Sequence, residues 1–129
     1  MSKILVVDDE DKIRLIIRKY AEAENYEVDE AKDGMEALLK VRANNYDLVI
    51  LDVIMPDMDG FELATYIRKY DPRGFIVIVT THSEMLPLTF QYMLEPLGYI
   101  IKDSKNYIEN QINDCICKAF SRYETLINL

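Results

Sequence analysis

Asp8 and Asp9 stand side by side directly after the apolar run Ile4–Val7, and Asp52 follows a second run, Asp47–Leu51. A third run ends in Thr80 and Thr81, and Lys102 comes straight after Tyr99–Ile101. Two carboxylates about 4 Å apart repel by roughly 4 kcal/mol at an effective dielectric of 20. A cluster of this kind must hold a proton, stay well solvated or bind a cation. Oxygen ligands with no histidine or cysteine beside them favour a hard divalent ion, and Mg2+ is the usual choice where several waters remain in the shell. A carboxylate, a metal, a hydroxyl and an ammonium together suit phosphoryl transfer, in which the protein mainly positions groups and neutralises charge. The chain has no glycine-rich phosphate loop, so a carboxylate is a more plausible acceptor than a bound nucleotide is a ligand.

These residues meet only if the intervening elements bring them together. Short β-branched runs alternate along the chain with stretches whose apolar residues recur three or four apart, the βαβα signature of a parallel sheet. The spacing predicts strands at Lys3–Val7, Tyr26–Glu30, Asp47–Leu51, Phe75–Thr80 and Tyr99–Ile101. The first, third and fourth are almost uniformly apolar, as central strands covered on both faces should be, whereas the second alternates and suits an edge. Helices are expected over about residues 12–24, with Asp11 as cap, and over about 34–44, 61–70 and 104–127. Right-handed crossovers then give a flavodoxin-like, doubly wound five-stranded sheet of order 2-1-3-4-5 with helices on both faces. In that order Asp8, Asp9 and Asp52 share the crevice between strands one and three, with Thr80 and Lys102 on the same edge. The stretch from Ser83 to Leu97 is too apolar for one buried stripe and contains Pro87 and Pro96, so a fourth helix ending at Pro96 is expected there, with a distorted helix or an irregular segment as the alternative.

Composition narrows the function classes. The chain has 129 residues, 15 basic and 23 acidic, for a net charge of −8. That is one domain's length, able to bury roughly two-thirds of its unfolded surface without a staple. The negative balance opposes sequence-independent nucleic-acid binding and adhesion to anionic membranes, both of which need lysine and arginine. No run approaches a membrane span or a secretory core, so a cytoplasmic location is expected. Cys115 and Cys117 lie about 200° apart around a helix and read as reduced thiols.

Taken together, the pieces resemble the receiver domain of two-component response regulators over nearly the whole chain. They are Ile4-Leu-Val-Val-Asp8-Asp9-Glu10, Leu51-Asp52-Val-Ile-Met-Pro56-Asp-Met-Asp-Gly60, Val79-Thr80 and Gly98-Tyr99-Ile-Ile-Lys102. The resemblance implies a single receiver over residues 1–129 with an extended fifth helix, and Asp52 as phosphoacceptor. It further implies that Asp9 binds Mg2+ directly, Asp8 largely through water, and the backbone carbonyl of Ile54 completes the protein ligands. Thr80 would hydrogen-bond the phosphoryl group, Lys102 would pair with it, and Tyr99 would turn inward as the switch. The implied donor is a histidine kinase or a histidine phosphotransfer protein, and the implied output is a changed protein-interaction surface that meets a downstream protein target. Such a domain catalyses only its own phosphorylation and dephosphorylation, and does not itself bind nucleic acid.

Three positions depart from the family pattern. Asp103 replaces the usual proline after the lysine, Thr81 replaces a smaller residue, and the apolar segment 85–97 replaces an alanine-rich helix. Each site residue also has a plainer reading: Asp8 or Asp9 as a helix-capping acid, Thr80 as ordinary strand composition, Lys102 as a solvated lysine, and His82 as a loop residue. The wide apolar arc of the last helix, together with the fourth, suggests a homodimer through those two helices. Two rival functions stay open: a phosphorylation-independent interaction module of receiver shape, and a small Mg2+-dependent phosphatase or phosphotransferase. Against the latter, Ile54 stands where such enzymes usually carry a second acid.

Overall fold

The computed structural model describes residues 3–52, 55, 57–70, 74–80, 98–101, 110, 111, 113 and 114. Its elements run β1 (Lys3–Val7), α1 (Asp11–Ala23), β2 (Glu27–Ala31), α2 (Gly34–Ala43), β3 (Leu48–Leu51), α3 (Gly60–Tyr70), β4 (Phe75–Thr80) and β5 (Gly98–Ile101). All neighbours pair in parallel, in the order β2-β1-β3-β4-β5.

Burial explains why the apolar runs take central places. Ile4, Val6, Leu48, Ile50, Val77 and Val79 face one way and pack with Ile13, Ile17 and Ala21 of α1. Leu5, Val7, Val49, Leu51, Ile76 and Ile78 face the other way, under Ala37, Leu38 and Val41 of α2 and Phe61, Ala64 and Ile67 of α3. Alternate residues of one strand point to opposite faces, so helices on both sides demand an unbroken apolar run. β2 keeps the mixed pattern of an edge, with Val28 and Ala31 buried and Glu27 exposed.

The element ends differ from expectation in small, explicable ways. Asp11 is the first residue of α1, not its cap. Glu10 holds the cap position, and its side chain makes no capping bond. Asp11 still lies in the first turn, where a carboxylate meets the positive end of the helix dipole. Tyr26, expected to open the second strand, instead closes α1: its N–H reaches the Ala21 carbonyl while Asn25 N–H reaches Glu22, at 3.0 Å each. Asn25 adopts φ 65°, the left-handed conformation this helix ending requires.

The expected fourth helix with Pro87 and Pro96, the homodimer contact, the two cysteines and most of the last helix lie outside the described residues. Positions 110, 111, 113 and 114 are helical. Among the described residues, no helix is long and apolar enough to cross a membrane.

Candidate functional site

Parallel pairing carries the carboxylates into one crevice. Val7 lies opposite Leu51 in the β1–β3 register, so Asp8 and Asp52 leave the sheet as neighbours. The ladder extends one step past each strand: Asp52 N–H donates to the Val7 carbonyl at 3.0 Å, and Asp8 N–H to the Ala31 carbonyl at 3.1 Å. Asp8 Oδ1 accepts the Glu10 N–H at 2.9 Å, which tightens the turn into α1.

Oxygen atoms of Asp8, Asp9 and Asp52 all lie within 4.8 Å of one another. Asp8 is 1% exposed and Asp52 6%, whereas Asp9 faces solvent. At a separation of 4.8 Å, the Asp8–Asp52 pair would repel by about 3 kcal/mol at an effective dielectric of 20 if both carried charge. Three hard oxygen donors, two buried and one open to water, fit a divalent cation that keeps part of its hydration shell. Nitrogen and sulfur ligands are absent from this described cluster.

Met55 and residues 57–59, which follow Asp52 in the chain, are held by defined contacts. Met55 is buried in the core beneath α2 and α3. Asp57 accepts the backbone N–H groups of Gly34 and Met35 at 2.9 and 3.0 Å, capping α2 from a distant loop. These two bonds hold the Asp57 carboxyl below its ordinary pKa of 3.8, with the Gly34 bond the larger cause and desolvation opposing it. Asp33 caps the next free donor of α2, the Glu36 N–H, at 2.9 Å. Asp59 does the same for α3 through the Phe61 N–H at 2.7 Å. Met58 lies so close that a Cβ on Gly34 would meet the Met58 Cβ at 2.7 Å, which demands glycine there. The aspartate directly before Gly60 is a sequence signal for the Asp59 cap of α3, whereas the Asp57 bonds to α2 cross 22 and 23 residues and carry no such signal.

Arg14 joins the turn from β1 into α1 with no signal in the sequence. Its Nη1 donates to the Asp8 carbonyl at 2.6 Å, its Nε donates to Glu30 at 3.1 Å, and it forms an ion pair with Asp11. No local pattern links a helix arginine to a carbonyl six residues earlier.

Thr80 ends β4 and pairs with Ile101, and Tyr99 lies in β5 opposite Ile78. The side-chain placements of Thr80 and Tyr99 lie outside the described residues, as do Ile54, Thr81, His82, Lys102 and Asp103.

A doubly wound sheet with acids grouped where the strand order reverses defines an α/β protein that receives its ligand beyond the strand ends. A family model for the response regulator receiver domain matches residues 4–113. The chain is 46% identical over 83 residues to the transcriptional regulatory protein ResD of Bacillus subtilis, a match covering 64% of this chain and 35% of that protein. It is 39% identical over 83 residues to SrrA of Staphylococcus aureus, covering 64% and 34%. The match thus spans about a third of the length of these curated relatives. Among solved structures, it superposes with a TM-score of 0.79 and 37% identity on the response regulator TrrA of Thermotoga maritima in complex with Mg2+–BeF, covering 92% of this chain and 99% of that one. A receiver domain protein from Clostridium thermocellum gives a TM-score of 0.81 at 27% identity, covering 98% and 99%. The chain belongs to the receiver-domain family of two-component response regulators.

Proposed function

We propose that this receiver takes a phosphoryl group onto Asp52 from a histidine kinase or a histidine phosphotransfer protein. The observation that carries this reading is the meeting of three carboxylate oxygens within 4.8 Å at the ends of β1 and β3. A Mg2+ ion would be held by Asp9 and Asp52 directly, by Asp8 largely through water and by the Ile54 carbonyl, and when bound it offsets the negative charge of acids and phosphate. The complex of TrrA with Mg2+–BeF supports this assignment by likeness.

Asp52 forms a P–O bond in line as the P–N bond of the donor's phosphohistidine breaks, leaving an acyl phosphate here and a free imidazole on the donor. Lys102 neutralises phosphoryl oxygens, and the Thr80 hydroxyl donates to one of them. One negative charge at residue 52 becomes about two, and this gain draws Thr80 and Lys102 inward. The packing around β4 and β5 shifts, Tyr99 turns inward, and a surface for a downstream protein partner changes. The domain thus works on itself, as one unit over residues 1–129 in the cytoplasm. ResD and SrrA, as transcriptional regulatory proteins, make transcription the favoured output of a larger assembly.

Incubation with Mg2+ and acetyl phosphate followed by intact mass measurement tests the reading. A labile gain of one phosphoryl group, lost in Asp52→Ala, is expected. No gain, with partner binding intact, would leave an interaction module of receiver shape.

A further inference from the structure

We propose that Arg14 is a positioning residue for the cation site, setting the Asp8–Asp9 peptide from outside the pocket. The inference rests on reading Asp8, Asp9 and Asp52 as that site. Its ground is a hydrogen bond from Arg14 Nη1 to the Asp8 carbonyl at 2.6 Å. A peptide unit is planar, so fixing the carbonyl of residue 8 also fixes the N–H and Cα of residue 9. Asp9, the exposed member of the trio, has its launch point set in this way.

The guanidinium is itself immobilised. Its side chain is 13% exposed, Nε donates to Glu30 Oε1 at 3.1 Å, and Asp11 forms an ion pair with the other arm. Glu30 is steadied in turn by Arg18 Nε at 2.7 Å. A planar fork held at three points transmits geometry, which a flexible ammonium does less well. Arg14 also follows four successive acids in the chain, Asp8-Asp9-Glu10-Asp11, and pairs with the last of them, so a positive charge lies beside the turn that carries Asp8 and Asp9. Two opposed effects follow from removing it. Loss of the anchor loosens Asp9 and weakens cation binding, while loss of the charge alone would strengthen it. The short bond to the Asp8 carbonyl favours the first, because partners that orient metal ligands typically account for about 10-fold or more in affinity.

Calorimetric titration with MgCl2 at constant ionic strength and without phosphodonor tests this on wild type, Arg14→Gln, Arg14→Lys and Arg18→Gln, with folding checked by urea unfolding. Arg18→Gln removes a charge from the same helix and from the same Glu30, but its backbone partner is the Val28 carbonyl, away from the turn. The expected outcome is Mg2+ affinity weakened about 10-fold in Arg14→Gln, less in Arg14→Lys, and less than about 2-fold in Arg18→Gln. If Arg14→Gln does not fold, Arg14→Lys against Arg18→Gln decides. Affinity in the Arg14 variants that equals or exceeds wild type, or an equal loss in Arg18→Gln, overturns the proposal. A wild type that binds Mg2+ yet takes no phosphoryl group overturns the phosphoacceptor reading instead and leaves the role of Arg14 standing.

Discussion

Asp57 Oδ1 accepts the backbone N–H of Gly34 at 2.9 Å, joining a residue five places beyond the proposed phosphoacceptor to the first turn of α2. Oδ2 of the same carboxylate takes the Met35 N–H at 3.0 Å, so two of the helix's free donors are satisfied by a residue from another segment. Asp57 and Met58 are therefore tied to the start of α2.

Replacing Asp57 by alanine should lower stability by about 1 kcal/mol, the usual weight of a helix cap. Urea unfolding measures this, and an unchanged midpoint would mean water replaces the carboxylate without loss. The carboxyl is held below 3.8 when folded, so its contribution is present above that pH and is lost as pH falls through the lowered value. Asp57→Asn should accordingly show a shallower loss of stability below about pH 4 than wild type.

Asp52→Asn should stabilise the protein in the absence of divalent ions, by about 1–2 kcal/mol, because it removes one charge from a crowded pocket. Mg2+ at ten times its dissociation constant should raise the stability of wild type by about 1.4 kcal/mol and that of the variant less. Thermal melts with EDTA and with MgCl2 read both effects. A lower melting temperature for Asp52→Asn in EDTA would show that repulsion is not the governing term.

Asn25 occupies a left-handed position, φ 65°, at the end of α1. Glycine has no Cβ to strain there, so Asn25→Gly should gain up to about 1 kcal/mol and Asn25→Ala should lose about 1 kcal/mol. Chemical unfolding of both variants against wild type checks this, and an Asn25→Gly protein less stable than wild type would mean that the Asn25 side chain contributes more than the relief of backbone strain does.

Tyr46 donates its hydroxyl to Asp29 Oδ2 at 2.7 Å, and burial, then Asp29, push the phenol well above its ordinary 10.0. Tyr46→Phe should cost about 1–2 kcal/mol by leaving Asp29 one donor short. A raised folded value means this contribution is complete below about pH 10 and declines at higher pH, so the variant should lose less stability than wild type on going from pH 9 to 11. Parallel alkaline slopes would contradict the assignment.

Much of the fold is legible because strands buried on both faces have no freedom in composition: Ile4–Val7, Leu48–Leu51 and Ile76–Val79 are apolar throughout, and helix periods separate them. The acids were legible for a related reason. A carboxylate directly after such a run marks a strand's carboxyl end, and parallel topology puts all these ends on one edge. The ends of elements were less so. Aspartate is a common helix cap, yet Glu10 holds the cap position of α1 and Asp11 pairs with Arg14 from the first turn instead.

Residue order alone therefore settled the strand order, the places of α1, α2 and α3 along the chain, and which acids gather, since periodicity and right-handed crossovers are local rules. Folding added the long-range bonds: Asp57 to α2, Met58 against Gly34, and Arg14 to the Asp8 carbonyl. Their partners are either far apart in the chain or oriented by a third element, so no spacing rule reports them, and each depends on distances that arise only once the layers have packed.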